Sequence, residues 1–381
     1  MSLRLYNAAQ FNNLGRIRFA ATYPKCAPGL KNELFPAVAP ISLTYKKTKS
    51  DEWTKMSHNG LINGYLQLSK HRLSLLIAST AAGGYMVAPG YMDAKTFAAC
   101  TIGTMLMSAS ANAFNHLLEA PYDAQMKRTQ SRVLVVHRFT PLHALTFAGV
   151  TSITGASLLW AGCNPLTAAL GVLNLGLYAG VYTPLKRYHI GCTWAGAIVG
   201  AIPPLMGYAA LTGTLDPAAF VLATILYSWQ FPHFNGLSWN LRGDYSRAGY
   251  RVMCVTDEGI CRRTTIRHSL ALLGLCSVAA PLTHLTSLNF AFSSVPLNAT
   301  MIYLSYLFYK NPDAKSSRNL FRFSLLYLPL IMVLMVMSSR GTSNDVNSIS
   351  ALATSSHHYL PGSLKPVVSP VELTVKEIVK L

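Results

Sequence analysis

Apolar residues in this chain fall in long charge-free runs separated by short charged loops. No Asp, Glu, Lys or Arg occurs in 73–92, 96–118, 139–185, 268–309 or 323–339, and Asp216 alone interrupts 188–241. A membrane-crossing helix takes about 20 apolar residues, so 73–92, 96–118 and 323–339 hold one helix each and the three longer runs hold two. Gly162 and Pro165, Gly213 and Pro217, and Ser287 and Asn289 mark the midpoints of the long runs. The pattern predicts an all-α, polytopic membrane protein with nine transmembrane helices. Buried helices of a large soluble protein would need polar faces that these runs lack.

Composition agrees. Over 381 residues the chain is 51% hydrophobic and 12% charged, about half the charge of a typical soluble domain. Loops rich in Lys and Arg stay on the side from which a membrane protein is inserted. Between predicted helices 2 and 3, 4 and 5, 6 and 7, and 8 and 9 lie sixteen Lys and Arg residues, whereas the intervening loops supply Lys95 alone. With nine helices that alternation is self-consistent and puts the N-terminus on the basic side.

Residues 1–50 differ from the rest. They carry eight Lys or Arg, one acid (Glu33) and no long apolar core, which fits a mitochondrial transit peptide; a basic tail lying on anionic lipid is the alternative. On the first reading the basic loops face the matrix from the inner membrane. The expected organisation is therefore a leader over 1–50, a linker over 51–70, a nine-helix domain over 71–340, and a mostly unstructured tail over 341–381 with a short amphipathic end at 371–381. The net charge of +18 is spread over a leader and four loops, with no compact basic domain, which excludes nucleic acid as a partner. Seven cysteines without a CxxC pair indicate neither a zinc site nor a disulfide framework. Cys163, Cys192 and Cys276 read as packing residues.

The chemistry gathers on the basic side. In NAFNHLLEAPYD, Asn115, Glu119 and Asp123 stand at steps of four, and each step turns a helix by about 40°, so all three share one face. Pro121 should kink or stop that helix. Broken backbone at membrane depth is tolerated where it lines a cavity, and oxygen ligands converging there suit a hard cation, Mg2+ above all. Asn240 and Asp244 repeat the spacing in HFNGLSWNLRGDYSRAG, with His233 at its head. Lys127, Arg128, Arg132, Lys186, Arg187 and Arg242 lie close by in sequence. Acids for a metal and cations for oxyanions are what a diphosphate requires. Mutual pairing of these charges at the membrane interface is the plain alternative.

Three stretches, NAFNHLLEAPYDAQMKRTQSRVL (112–134), YTPLKRYHIGCTWAGAIVGAIPPLMGY (182–208) and WQFPHFNGLSWNLRGDYSRAGYRVM (229–253), resemble the UbiA-type intramembrane prenyltransferases, and within them the mitochondrial haem-farnesylating branch (protoheme IX farnesyltransferases, or haem O synthases). The resemblance covers roughly 70–340. It implies nine helices around a central cavity open to lipid, with farnesyl diphosphate held through Mg2+ and its farnesyl group joined to a vinyl group of haem B, giving haem O after water adds. By position it assigns Asn115, Glu119 and Asp123 to a first metal motif and Asp244, with Asn240, to a second. It assigns Lys127, Arg128, Arg132, Lys186 and Arg187 to the diphosphate, and the His233–Phe234 pair to the haem-using branch. The mechanism it implies is ionisation-led: the cations and the metal stabilise departing diphosphate, a dry cavity protects the allylic cation, and the vinyl carbon attacks. The wider family often has Asp where this chain has His116 and Glu119, bacterial haem enzymes commonly have an acid where it has Pro121, and the second motif tends to hold two or more Asp where this chain has Asn240 and Asp244, which leaves the number of Mg2+ ions open. Tyr182, Trp229 and Trp239 are further candidates for the porphyrin pocket.

Two other readings stand beside this one: a sister enzyme that prenylates an aromatic acid, and a transporter built on broken helices. No inverted repeat supports the second. Gly171, Gly176, Gly180, Gly196 and Gly200 permit close helix packing within or between chains, so an oligomer is compatible with the sequence, as is hand-off of product to a downstream haem-modifying enzyme.

Overall fold

The computed structural model describes the backbone of residues 58–356 and the side chains of 60–339. The expected leader and the amphipathic end at 371–381 lie outside the described residues, as do the first seven positions of the linker and the final part of the tail. Among the described residues every element is helical. In chain order these are α1 (His58–Leu68), α2 (His71–Val87), α3 (Ala94–Asp123), α4 (Pro141–Gly162), α5 (Pro165–Gly176), α6 (Thr183–Tyr188), α7 (Cys192–Thr212), α8 (Pro217–Arg247), α9 (Met253–Thr256), α10 (Glu258–Gly274), α11 (Ala280–Leu282), α12 (Leu288–Lys310) and α13 (Ala314–Ser356). π-Helical stretches Leu177–Tyr182 and Leu275–Ala279 join α5 to α6 and α10 to α11.

The turn residues mark helix boundaries for identifiable reasons. Asn164 and Asp216 cap α5 and α8 by accepting from the backbone N–H of Thr167 and Ala219, with Pro165 and Pro217 at the first helical positions, where a missing N–H is harmless. Gly213 ends α7 at φ 72°, a conformation glycine adopts without penalty. Asp93 caps α3 through Thr96, so the acids on the weakly charged side serve the helix ends.

Six helical segments are long and apolar enough to cross a membrane: Ala94–Asp123, Pro141–Gly162, Pro165–Tyr188, Cys192–Thr212, Glu258–Leu282 and Ala314–Ser339. The other three predicted spans coincide with α2, α8 and α12. Of these, α2 has 17 residues, while α8 and α12 are long but richer in amide, hydroxyl and proline residues. Outward apolar side chains such as Ile153, Trp160 and Phe292 are exposed, as a lipid-facing surface requires.

Successive helix contacts close a ring: α3 packs on α4, α4 on α5, α5 on α7, α7 on α8, α8 on α10 and α13, α10 on α12, α12 on α13, and α13 on α2, which returns to α3 and α7. The α2–α7 seam is close-packed at backbone level. A Cβ added at Gly207 would overlap the Ala81 carbonyl oxygen, and one at Gly84 the Pro204 carbonyl oxygen; only glycine lets these backbones touch. Gly207→Ala is therefore expected to destabilise the protein by about 1–3 kcal/mol, read as a lower melting temperature in detergent. Gly176→Ala is the comparison, because its added Cβ meets nothing within 4 Å; equal loss in both would remove the seam from the account.

Two differences from the sequence reading concern the ends. Helix α1 occupies part of the expected linker, held because Leu61, Tyr65 and the fully buried Leu68 join Ala113, Leu134, Phe139 and Ala144. Helix α13 runs on to Ser356, into the expected tail, with no proline after Pro329 to stop it. Cys192 and Cys276 are buried free thiols and Cys163 is half-buried.

Candidate active site

Helix α3 presents Asn115, Glu119 and Asp123 on one face, 1%, 5% and 1% exposed. Pro121 sits inside the last turn, and the helix ends two residues later at Asp123. The segment after it is turn-rich. Thr129 Oγ1 donates to the Asp123 carbonyl (2.9 Å), and Val133, Leu134 and Phe139 anchor it in the apolar cluster beneath α1. This anchoring brings Arg132 back over α3, where it pairs with Asp123 Oδ2 and lies 3.9 Å from Glu119 Oε2.

Lys186 arrives from the other side. Its Nζ donates to Glu119 Oε1 (2.6 Å) and lies 4.3 Å from the Tyr182 ring centre. The π-helical turn places it there. Pro184 has no N–H to give the Gly180 carbonyl, and the helix slips by one residue, so that the Thr183 N–H reaches the Tyr178 carbonyl. Such π-turns recur at functional sites, and here Tyr178 and Tyr182 are displayed together. The Thr183 hydroxyl accepts from Asn115 Nδ2 (3.2 Å).

Lys70 completes the ring of charge. It immediately precedes α2 with φ 44° and ψ 51°, a left-handed conformation unusual for a residue with a side chain, and its Nζ donates to Asn115 Oδ1 (2.7 Å). Burial, and after it the charge of Arg132, pull the Lys70 ammonium down to about 7; an arriving polyanion would raise it again. The sequence reading left Lys70 in the linker. Its signal was its position at the head of the first apolar run, one helix turn from the membrane mouth.

These groups, with Arg128, Tyr245 and Tyr250, line a polar pocket of ≈ 240 Å³. It adjoins an apolar cavity of ≈ 860 Å³ formed by α2, α3, α5, α7, α8 and α13. Leu73, Tyr178, Tyr182, Lys186, Phe234 and Val252 line both and form the doorway between them. His233 and Trp229 face the cavity: the imidazole stacks on the indole (4.6 Å between centres) and its Nδ1 is 2.9 Å from Ser324 Oγ.

Other predicted residues are placed elsewhere. Asn240 donates to Ser317 Oγ (2.8 Å) on α13. Asp244 pairs with Arg247 on its own helix, and neither lines the polar pocket. Arg187 donates to the Ala248 carbonyl (2.8 Å) and covers the Tyr122 ring. Lys127 is exposed, and Trp239 packs edge-on against Phe308. Among the described residues no three His, Cys, Asp or Glu side chains gather as a metal site by themselves. The donor set nonetheless suits Mg2+, which takes one or two carboxylates plus substrate phosphate oxygens. Asp123 Oδ1 is buried without a hydrogen-bond partner, a free carboxylate oxygen beside Glu119 and the Asn115 amide.

Comparison with known proteins follows this geometry. Residues 76–327 match the UbiA prenyltransferase family. The chain is 49% identical over 298 residues to the mitochondrial protoheme IX farnesyltransferase of Homo sapiens, covering 77% of this chain and 67% of that one. It is 36% identical over 331 residues to the enzyme of the same name from Yarrowia lipolytica, covering 83% and 68%. Against that of Pongo abelii, 50% identical, the match spans 62% of the relative's length. Among solved structures, the fold is similar to a UbiA homolog from Archaeoglobus fulgidus bound to GPP and Mg2+ (TM-score 0.54, 11% identity, 71% of this chain and 99% of that one). It is also similar to the apo UbiA homolog from Aeropyrum pernix K1 (TM-score 0.57, 15% identity, 70% and 98%).

Proposed function

This chain belongs to the UbiA prenyltransferase family, and on that basis we propose that it transfers the farnesyl group of farnesyl diphosphate to a vinyl group of haem B, giving haem O and diphosphate. The observation that carries the reading is the doorway: a polar pocket with two carboxylates and four cations opens through Tyr178 and Tyr182 into an apolar cavity. A prenyl diphosphate has this same division, a polyanionic head on a hydrocarbon chain. The relatives named protoheme IX farnesyltransferase supply the acceptor.

In this reading Lys70, Arg128, Arg132 and Lys186 receive the diphosphate, and Arg132 and Lys186 exchange their carboxylate partners for phosphate oxygens. Asn115, Glu119 and Asp123 would hold Mg2+, which when bound neutralises diphosphate charge and makes it a better leaving group. Asn240 and Asp244 would join them only if Asn240 leaves Ser317 and Asp244 leaves Arg247. The C1–O bond breaks at the doorway, where the Tyr178 and Tyr182 rings face the allylic cation and can stabilise it. The farnesyl chain fills the apolar cavity, which excludes bulk water. His233 is the residue we assign to haem, through its cavity-facing ring. The relatives' mitochondrial naming and the basic loops support an inner-membrane location with the polar pocket towards the matrix.

The test is to incubate the purified protein in detergent with haem B, farnesyl diphosphate and Mg2+ and to seek haem bearing a hydroxyethylfarnesyl group by mass spectrometry. Product that disappears on chelation supports the reading. Prenylation of an aromatic acid but not of haem would keep the site and change the acceptor, and no diphosphate release with any acceptor would favour transport. For His233→Ala, a weakened haem affinity and an altered absorbance spectrum are expected; an unchanged spectrum and affinity would remove His233 from the haem site.

A further inference from the structure

The polar stripe on α3 continues past the polar pocket. Beyond Asn115, towards the membrane interior, Asn112, Ser108 and Thr104 line the apolar cavity and are buried. They follow one another at steps of four, each a turn of about 40°. Asn112 Nδ2 donates to Ser74 Oγ (3.1 Å) and the Ser69 carbonyl (3.3 Å), and Ser108 Oγ donates to Ser74 Oγ (3.1 Å). Tyr178 Oη donates to Asn112 Oδ1 (3.5 Å). Two more atoms on this wall, Thr104 Oγ1 and Asn174 Oδ1, are buried with no hydrogen-bond partner.

Adhesion between α2 and α3 accounts for the Ser74–Ser108 contact. It does not account for the unpaired atoms. Leaving a buried polar atom unpaired is costly, and a farnesyl chain has nothing to offer it. A water molecule does, since buried waters typically make 2–4 hydrogen bonds to otherwise unsatisfied polar groups.

The reaction proposed above, on which this inference rests, consumes one water. Diphosphate leaves with the electron pair of the C1–O bond, and the vinyl π electrons form the new carbon–carbon bond to C1. The inner vinyl carbon, now cationic, takes a lone pair from water, and one water proton must depart. We propose that Asn112 and Asn174, the part of this wall next to Tyr178, hold this water beside the doorway, and that Tyr178 relays its proton. Tyr178 donates to Asn112 and lines both compartments; its oxygen accepts the water proton on the cavity side while its own O–H turns from Asn112 to the polar pocket and passes to a diphosphate oxygen. The wall thereby sets the outcome. With water in place the product is the alcohol; without it the cation loses a proton from the neighbouring carbon and becomes an alkene, lighter by one water.

Asn174→Leu, Asn112→Leu and Tyr178→Phe, assayed with haem B, farnesyl diphosphate and Mg2+ in water enriched in heavy oxygen, test this. Diphosphate release and the masses of the farnesylated haems are read together. We expect release to fall by less than about ten-fold while the ratio of alcohol to alkene falls by at least about ten-fold, with heavy oxygen in the remaining alcohol. Asn174→Leu decides the matter if the others fold poorly, because its Oδ1 makes no protein hydrogen bond and its loss leaves the melting temperature unchanged or higher. An unaltered alcohol share in Asn174→Leu and Tyr178→Phe overturns the proposal. Failure of the parent protein to farnesylate haem, with another acceptor prenylated, overturns the acceptor assignment first and the water site with it.

Discussion

Asp123→Asn is expected to slow diphosphate release from farnesyl diphosphate by at least about a hundred-fold in a protein that still folds. The amide keeps the shape of the carboxyl group and removes its charge. Of the two carboxylate oxygens, Oδ2 is engaged by Arg132 and Oδ1 is buried and unpartnered in the polar pocket. A buried oxygen left free in this way has no structural partner to lose, so the consequence of substitution falls on whatever cation it is meant to meet. The measurement is diphosphate release against Mg2+ concentration, with thermal melting alongside. Asp123→Asn should need far more Mg2+ and still fall short at saturation. Release within a few-fold of the parent would mean that Asp123 serves to hold Arg132 and no more.

Lys70→Gly should move stability and activity in opposite directions. A non-glycine residue in the left-handed region costs about 1–2 kcal/mol, and a buried ammonium adds a desolvation cost on top. Glycine relieves both, offset in part by the greater freedom it gives the unfolded chain. The variant is expected to melt higher. It also loses the charged donor aimed at Asn115. Hydrogen bonds to charged groups are worth about 1.5–3 kcal/mol, which corresponds to a rise in KM for farnesyl diphosphate of about ten- to a hundred-fold. Strain kept at a residue that points into a site is the usual sign of a conformation retained for function. A variant that is both less stable and unaltered in KM would show that Lys70 is merely a helix start.

Much of this arrangement was legible in the sequence because the membrane restricts what a charge-free run can be. The helix boundaries at Pro165 and Pro217 follow from cap chemistry that the sequence displays directly. The stripe of Asn115, Glu119 and Asp123 was legible because helical spacing fixes a shared face. Spacing does not say which neighbour that face meets, and this is where the second motif diverges: Asn240 and Asp244 share a spacing too, but Ser317 and Arg247 occupy them. Arg187 adjoins Lys186 in sequence yet points about 100° away on the helix, towards Ala248 and Tyr122. Lys70 was hidden because its direction depends on a left-handed backbone that no periodicity encodes. The deeper polar wall was hidden because Thr104, Ser108 and Asn112 look like ordinary small or polar residues of a packed membrane helix until the cavity beside them is seen.

The ion pairs that close the polar pocket make its two visitors depend on each other. A metal ion arriving alone at Asp123 Oδ1 and Glu119 draws carboxylate charge away from Arg132 and Lys186; a diphosphate arriving alone draws the same cations from their carboxylates. Either exchange strands the abandoned partner, and burying an unpaired charge is costly. When both arrive, every partner is replaced. Each ligand therefore raises the other's affinity, and by the reciprocity of linked equilibria it does so by the same factor. On the proposed function, the pocket would act as a coincidence detector that favours a metal–diphosphate complex over a free cation or an isolated phosphate of a lipid headgroup.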